Sequence, residues 1–399
     1  AVVLLAIAGA ARAESPLPMA ATPEEVGLSS EQLKRLETTM RENVERGLPP
    51  GAAMLVARRG KIAWRMTLGQ RDRDANQPMQ PDSIFRIYSM TKPIVSVALM
   101  QMVEEGRLQI TYPVSAILPE IGQMKVGLDG IAPPRAMSVQ DLLRHTSGLI
   151  YGGRGHSLVH QAYREAKIGD RGVTLAEFVT RLSKLPLAFA PGARWEYGVS
   201  TDVLGRYIEV ASGDKPLDEV LAERVLKPLG MADTGFWVPH DKVARIAQPW
   251  QVPVSSRKMT PRFDPAEKPK FESGGGGLTS TMDDYLRFAV MLANGGTFQG
   301  KRILGKKTIE FMTADHVGTR PGRPPGLGFG LGFEVRTKAG EAGLPGSIGE
   351  YGWAGNAGTL FWIDPKEQLI AIYMVQVSDP DRIALRNQFR SMVQAAIID

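Results

Sequence analysis

Apolar and polar positions alternate most clearly near the two ends of the chain. Ala52 to Val56 and Ile62 to Leu68 flank the polar Arg58-Arg59-Gly60-Lys61, and this predicts a β-hairpin. Gly358 to Ile363 and Gln368 to Gln376 predict a second hairpin across Asp364-Pro365. A helix is expected from about Ser30 to Glu45. Ser29 and Gln32 form a capping-box pattern ahead of it, Leu28 and Leu33 form a staple, and Gly47 closes it. A last helix carries Leu385, Phe389, Met392, Val393 and Ala396 on one stripe. Gly328, Gly330 and Gly332 alternate with Phe329, Leu331 and Phe333, as in a strand with one tightly packed face.

Short turns cannot join parallel strands, so the hairpins imply an antiparallel sheet made by both termini and covered by helices. Between the ends the pattern is mainly helical. The expected fold is α+β: a sheet domain from 14–88 and 274–399, a mainly helical domain over 89–273, and a site between them. Gly274-Gly275-Gly276-Gly277 lacks the Lys-Ser/Thr of a phosphate loop, so close backbone approach is its expected use. A helix capped by Ser280 or Thr281 follows it and runs to Asn294-Gly295.

Composition narrows the picture. The 399 residues, 43% of them hydrophobic, are enough for a sizeable core in one large domain or two. No stretch reaches the ~18 apolar residues of a membrane span. Ala1 to Ala10 has the length of a secretory apolar region, and Ala11-Arg12-Ala13 offers a cleavage point before Glu14. This reads as a signal-peptide remnant at 1–13, and export to a periplasm or the medium is the expectation. The absence of cysteine excludes disulfides, thiolate metal sites and a cysteine nucleophile. The net charge of +6 comes from scattered Lys and Arg with no clustered patch, which argues against nucleic acid as a partner.

Candidate chemistry begins at Ser89-Met90-Thr91-Lys92. Residues three apart on a helix are surface neighbours, so the Lys92 amine reaches the Ser89 hydroxyl. Pro93 is tolerated mainly in a first helical turn, which places Ser89 near a helix N-terminus, where the dipole favours negative charge. The bare spacing recurs at Ser212-Gly213-Asp214-Lys215 and Ser255-Ser256-Arg257-Lys258. Both lie in polar turns with no apolar helix behind them, and an exposed lysine at a pKa of ~10.4 stays protonated. Context selects Ser89.

Three more motifs follow in order: Asp141-Leu142-Leu143-Arg144-His145-Thr146-Ser147-Gly148-Leu149, then Trp195-Glu196-Tyr197-Gly198-Val199-Ser200, then Tyr351-Gly352-Trp353-Ala354-Gly355-Asn356. With Tyr88-Ser89-Met90-Thr91-Lys92-Pro93, this order resembles the serine β-lactamase and penicillin-binding-protein superfamily. Within it, the chain is similar to the class C β-lactamase-like family VIII carboxylesterases, over nearly all its length. The resemblance implies Ser89 as acylated nucleophile, Lys92 as its partner and Tyr197 as general base. It implies an oxyanion hole from the backbone N–H groups of Ser89 and Asn356, with Tyr151, Val199, Trp353, Ala354 and Gly355 facing substrate.

The chemistry fits independently, because a serine hydroxyl is a weak nucleophile until a neighbour takes its proton. Two arrangements supply that neighbour. Either Lys92 is neutral, which requires a shift of ~3 units or roughly 4 kcal/mol, or Lys92 stays charged and lowers the pKa of Tyr197. Two departures from the lactamase pattern bear on substrate. Trp353 stands where those enzymes carry a Lys or His that meets the substrate carboxylate, and Val199 replaces an Asn that meets the amide. Both favour a short neutral ester, with room for slow β-lactam opening as a side activity.

His145 invites a Ser-His-Asp triad, but the chain has no Gly-x-Ser-x-Gly elbow, and a structural hydrogen-bonding role is expected. His156 and His160 have ligand spacing without a Glu after His156 or a third ligand, so no metal and no cofactor is expected. The expected activity is therefore carboxylester hydrolysis through an acyl-enzyme. The alternatives are a β-lactamase, a D-alanyl carboxypeptidase or aminopeptidase, and a non-catalytic binding module on the same fold.

Overall fold

The structure is a computed structural model that describes residues 15–249, 261–377 and 381–399. The expected leader remnant and the Ser255-to-Lys258 motif lie outside the described residues. The strands run in chain order as β1 (Gly51–Arg58), β2 (Lys61–Asp72), β3 (Gln77–Pro78), β4 (Phe85–Arg86), β5 (Thr279–Ser280), β6 (Thr297–Phe298), β7 (Lys301–Arg302), β8 (Leu327–Phe329), β9 (Glu334–Arg336), β10 (Tyr351–Ala354), β11 (Leu360–Asp364) and β12 (Leu369–Val375). Eight of them form one sheet in the order β3-β2-β1-β12-β11-β10-β9-β8, antiparallel throughout. β4 pairs with β5 and β6 with β7 in two small ladders.

Both expected terminal hairpins are present, and their meeting closes the sheet. β1 lies against β12 from Ala52 opposite Val375 to Arg58 opposite Leu369. The β1–β2 turn is made by Arg59 and Gly60, whose φ values of 51° and 76° are both left-handed. That turn matches the twist of the two strands.

Side chains on β12 alternate between two cores, as a strand period of two demands. Leu369, Ala371, Tyr373 and Val375 pack with Leu36, Met40, Trp362 and Phe389, under the terminal helices Ser30–Glu45 and Asp381–Ala395. Ile370, Ile372 and Met374 face the other way, with Phe361 of β11, onto Ile94 and Tyr285 from the helices Thr91–Glu104 and Met282–Ala293. Ser29 Oγ accepts the Gln32 N–H and starts the first helix. Of the two candidate caps Ser280 and Thr281, Thr281 starts the Met282 helix by accepting from Asp284 N–H.

One expectation is corrected. Residues 327–336 are not a single strand but the β8–β9 hairpin, turned by Gly330-Leu331-Gly332. The Gly330 N–H donates to Phe333 O at 2.8 Å. Close approach, rather than strand alternation, explains the glycines. A Cβ at Gly330 would stand 2.2 Å from Met312 O, and one at Gly332 2.4 Å from Ser96 Oγ.

Phe389 is fully buried, its ring stacked 5.0 Å from Tyr373 and set edge-on 5.9 Å from Trp362. Phe389→Ala is expected to cost ~3–5 kcal/mol, as for other buried aromatic deletions. Urea unfolding would measure it, and a loss below ~1 kcal/mol would show that the last helix does not seal this face.

Candidate active site

Ser89 sits on a turn gripped from three sides. Ahead of it, Ile87 N–H donates to Leu278 O at 3.1 Å, and Tyr88 takes a left-handed φ of 43°. Such a conformation is uncommon for a bulky residue and is held only when the surroundings over-determine it. Ser89 lies in the 3-10 turn Tyr88–Met90, and the α-helix begins only at Thr91. This corrects the expectation that Ser89 and Lys92 share one α-helix, although the side chains still meet. Behind the turn, Thr91 Oγ1 accepts from Leu278 N–H and the Tyr285 hydroxyl donates to Met90 O. From the sheet, Gly355 comes so close that a Cβ would stand 2.3 Å from Ile87 O and 2.2 Å from Thr359 Oγ1. Glycine is what lets the end of β10 lie against the serine turn.

Lys92 is fully buried behind Ser89. Its Nζ donates to Gly275 O at 2.6 Å and to Ser89 Oγ and Tyr151 Oη at 3.4 Å each. The Gly275 carbonyl can only accept, whereas the two hydroxyls can accept from an ammonium or donate to a neutral amine. Burial works against that charge, but Tyr151, Tyr197 and Asp202 outweigh it and hold Lys92 above its ordinary value. Burial pushes Tyr151 up to about 12 against the pull of Lys92. Gly275 is fixed in turn by its N–H, which donates to Asp202 Oδ1 at 3.0 Å, and Ser273 Oγ donates to the same oxygen.

Tyr197 stands across from Lys92, with Nζ 4.6 Å from its ring centre. Its hydroxyl has no hydrogen-bond partner among the described residues. Trp353, His145 and Tyr151 surround the ring with centroids 5.4, 4.7 and 5.5 Å away. His145 is not the side-chain hydrogen-bonder expected from its turn. Neither ring nitrogen has a partner, and burial, aided by Lys92, lowers its pKa well below the usual value. It is a neutral ring packed among Trp195, Tyr197 and Phe329. Its backbone carbonyl does the joining, accepting from Glu196 N–H at 3.0 Å and tying the second motif to the third.

The second motif is anchored by Asp141, which accepts from Arg135, Arg144, Thr146 Oγ1 and Ser138 N–H. His160 has Ser157 Oγ 2.7 Å from Nδ1 and Glu196 Oε1 3.2 Å from Nε2. No group of three metal-ligating side chains occurs among the described residues.

Ser89, Tyr151, Tyr197, Val199, Trp353, Ala354, Gly355 and Asn356 all line one cavity of about 1260 Å³, and Lys92 reaches it from behind. Every candidate site residue is thus brought together. Three groups at the site escaped the sequence reading: Asp202, the Gly275 carbonyl and a set of arginines that includes Arg154, Arg171 and Arg262. Asp202 had a signal, an acid beside Val203 and Leu204 in an otherwise apolar helix turn. The four-glycine run had been read as a close approach without its target.

Comparison with known proteins identifies the family. The beta-lactamase family model matches residues 36–393. Over 362 residues the chain is 37% identical to an uncharacterized protein of Mycobacterium tuberculosis, covering 85% of this chain and 89% of that one. Esterase EstB of Burkholderia gladioli is 34% identical over 368 residues, with 84% and 90% covered. The solved structure of EstCE1, described as a hydrolase with promiscuous acyltransferase activity, superposes with a TM-score of 0.77 at 27% identity, covering 91% of this chain and 98% of that one. The chain belongs to the beta-lactamase family, and the motif order and the antiparallel α+β fold expected from sequence both hold. It is a hydrolase or acyltransferase of that fold, with esterases among its relatives.

Burial alone would raise the Asp141 pKa, but Arg135 and the Ser138 and Thr146 donors overcome it and hold the group at about 2. A lowered folded-state pKa contributes stability above the ordinary value of 3.8 that is lost as pH falls toward about 2. At ~1.4 kcal/mol per unit this is on the order of 2 kcal/mol. Asp141→Asn should therefore lose about that much at pH 7 by urea unfolding. The gap from the parent should close as pH drops through that window.

Proposed function

We propose that this protein is a carboxylesterase that cleaves short esters through an acyl-enzyme on Ser89. The observation that carries the reading is the Lys92 ammonium, 3.4 Å from Ser89 Oγ and below the ring of a tyrosine whose hydroxyl is unpartnered. Since the Lys92 N–H groups already point at acceptors, it serves the reaction as a fixed positive charge. Tyr197 starts as a phenolate stabilised by Lys92 and takes the Ser89 proton, becoming a phenol, as Oγ attacks the ester carbon. The tetrahedral oxyanion sits against the N–H groups of Ser89 and Asn356. Collapse expels the alcohol, which receives the proton from Tyr197. Water then attacks the acyl-enzyme by the same route in reverse and frees the acid.

Transfer of the acyl group to an alcohol in place of water is the second reading. The acyltransferase activity described for EstCE1 favours it. The aromatic wall of Trp353, Tyr197 and Phe329 also offers an acceptor an apolar surface.

A serine-directed phosphonate should label the protein once, at Ser89 by peptide mapping; labelling of Ser147 or Ser212 would overturn the assignment. Lys92→Ala and Tyr197→Phe should each lower kcat by ~10²-fold or more. Their combined effect should be smaller than the product, because the pair acts as a unit. Near-full activity of Tyr197→Phe would move the proton to Tyr151 or Lys92.

The kcat/KM for p-nitrophenyl butyrate should exceed that for nitrocefin and benzylpenicillin. Trp353 offers no charge to their carboxylate, while an acyl chain gains roughly 0.8 kcal/mol per buried CH₂. A β-lactam that matched the ester would defeat the esterase reading.

A further inference from the structure

The cavity carries cations for which the chemistry above has no use. Three carboxylates line it: Asp202, Glu334 and Glu350. Glu334 is paired with Arg323, and Glu350 with Arg336 and Arg390. Asp202 Oδ1 already accepts from Ser273 and Gly275. Five other cations of the lining, Arg154, Arg164, Lys167, Arg171 and Arg262, have no carboxylate in ion-pair range among the described residues, and of these Arg171 and Arg262 are tied to the glycine run and to Tyr88.

Arg171 has little else to hold its charge. Its guanidinium carbon stands 4.8 Å from the centre of the Phe263 ring, and its N–H reaches Gly276 O at a long 3.5 Å. Burial lowers its pKa, partly offset by the more distant Asp202, and the neighbouring Arg262 lowers it further. A half-buried guanidinium beside a second cation gains from an anion that meets both. Its planar fork matches a carboxylate with two parallel hydrogen bonds.

The position matters as much as the charge. Arg171 reaches Gly276 O, one residue along the loop from the Gly275 carbonyl that holds Lys92. Arg262 joins through the Tyr88 hydroxyl, which accepts its backbone N–H at 3.3 Å immediately before the serine turn. An anion here is therefore near the reacting carbonyl but separate from the Trp353 wall, where a β-lactam carboxylate is expected.

We propose that the favoured substrate is an ester whose acyl chain ends in a carboxylate, with that carboxylate held by Arg171 and Arg262. This deepens the esterase reading and rests on it for the bond cleaved, but not for the anion site.

The test compares mono-p-nitrophenyl adipate and suberate with p-nitrophenyl hexanoate and octanoate, matched in acyl length. The charged esters should have kcat/KM higher by ~10-fold, chiefly through KM, and added salt should shrink the preference. Arg171→Gln and the more exposed Arg262→Gln should each bring the ratio toward one. Hydrolysis of the neutral esters with equal or better kcat/KM than the charged ones in the parent protein would overturn the proposal and leave the esterase intact. If no ester is cleaved, the esterase reading fails and calorimetry with suberate decides the anion site alone. Binding that both Arg→Gln variants weaken upholds the site. No binding, or binding that neither variant changes, overturns it.

Discussion

A positive charge at Lys92, cut off from water, sets terms that distant parts of the chain must meet. An unpaired buried ion costs several kcal/mol even after the protein relaxes. Its N–H groups find Ser89 on the serine turn, Tyr151 after the second motif and the Gly275 carbonyl in the glycine run. These positions span much of the sequence, so the ammonium cannot be satisfied until the helical region and the sheet region are both in place. Asp202 completes the arrangement without touching Lys92. It orients the Gly275 peptide, and its charge acts on Lys92 across space.

The sheet supplies the opposite side of the site with little tolerance. β10 ends at Ala354, and the turn after it is clasped by the last helix. Arg382 donates to Asn356 O and Oδ1 at 3.0 Å each, and Arg386 donates to Gly355 O and Gly358 O. The same helix buries Phe389 on the sheet. Packing far from Ser89 therefore fixes where the Asn356 backbone lies, and with it one half of the expected oxyanion hole. The β1–β12 pairing makes that packing depend on both chain ends at once.

Much of this was legible in the sequence, for identifiable reasons. The terminal hairpins were visible because alternation, a left-handed turn at Arg59-Gly60 and the Asp364-Pro365 break are local signals. The site residues were visible because four motifs occur in one order. The 327–336 segment was misjudged because alternating glycines fit a strand and a tight hairpin equally well. The contacts with Met312 and Ser96 that decide between them come from far along the chain. His145 was misjudged for the same reason: a polar residue in a Ser/Thr/Gly turn suggests hydrogen bonds, while its neighbours Phe329 and Tyr197 are nonlocal. Arg171 and Arg262 were invisible as a pair, since scattered basic residues in a chain of net charge +6 carry no mark of convergence.

That convergence changes the meaning of Trp353. Taken by itself, its substitution for a cation makes the pocket look hostile to anions. In the folded molecule the loss is confined to one wall, where Trp353 packs on Tyr197 and Phe329 and keeps the reacting tyrosine in an aromatic setting. Charge persists on the glycine-run side, beyond the carbonyl that anchors Lys92. Tyr197 has two cations beside its ring, Lys92 Nζ at 4.6 Å and the Arg154 guanidinium carbon at 4.9 Å from its centre, while Arg171 stands apart against Phe263 and the Gly276 carbonyl. On the proposed reading, the charges beside Tyr197 serve the chemistry and those at Arg171 and Arg262 select the ligand, so the preference for substrate can vary without disturbing the reacting groups.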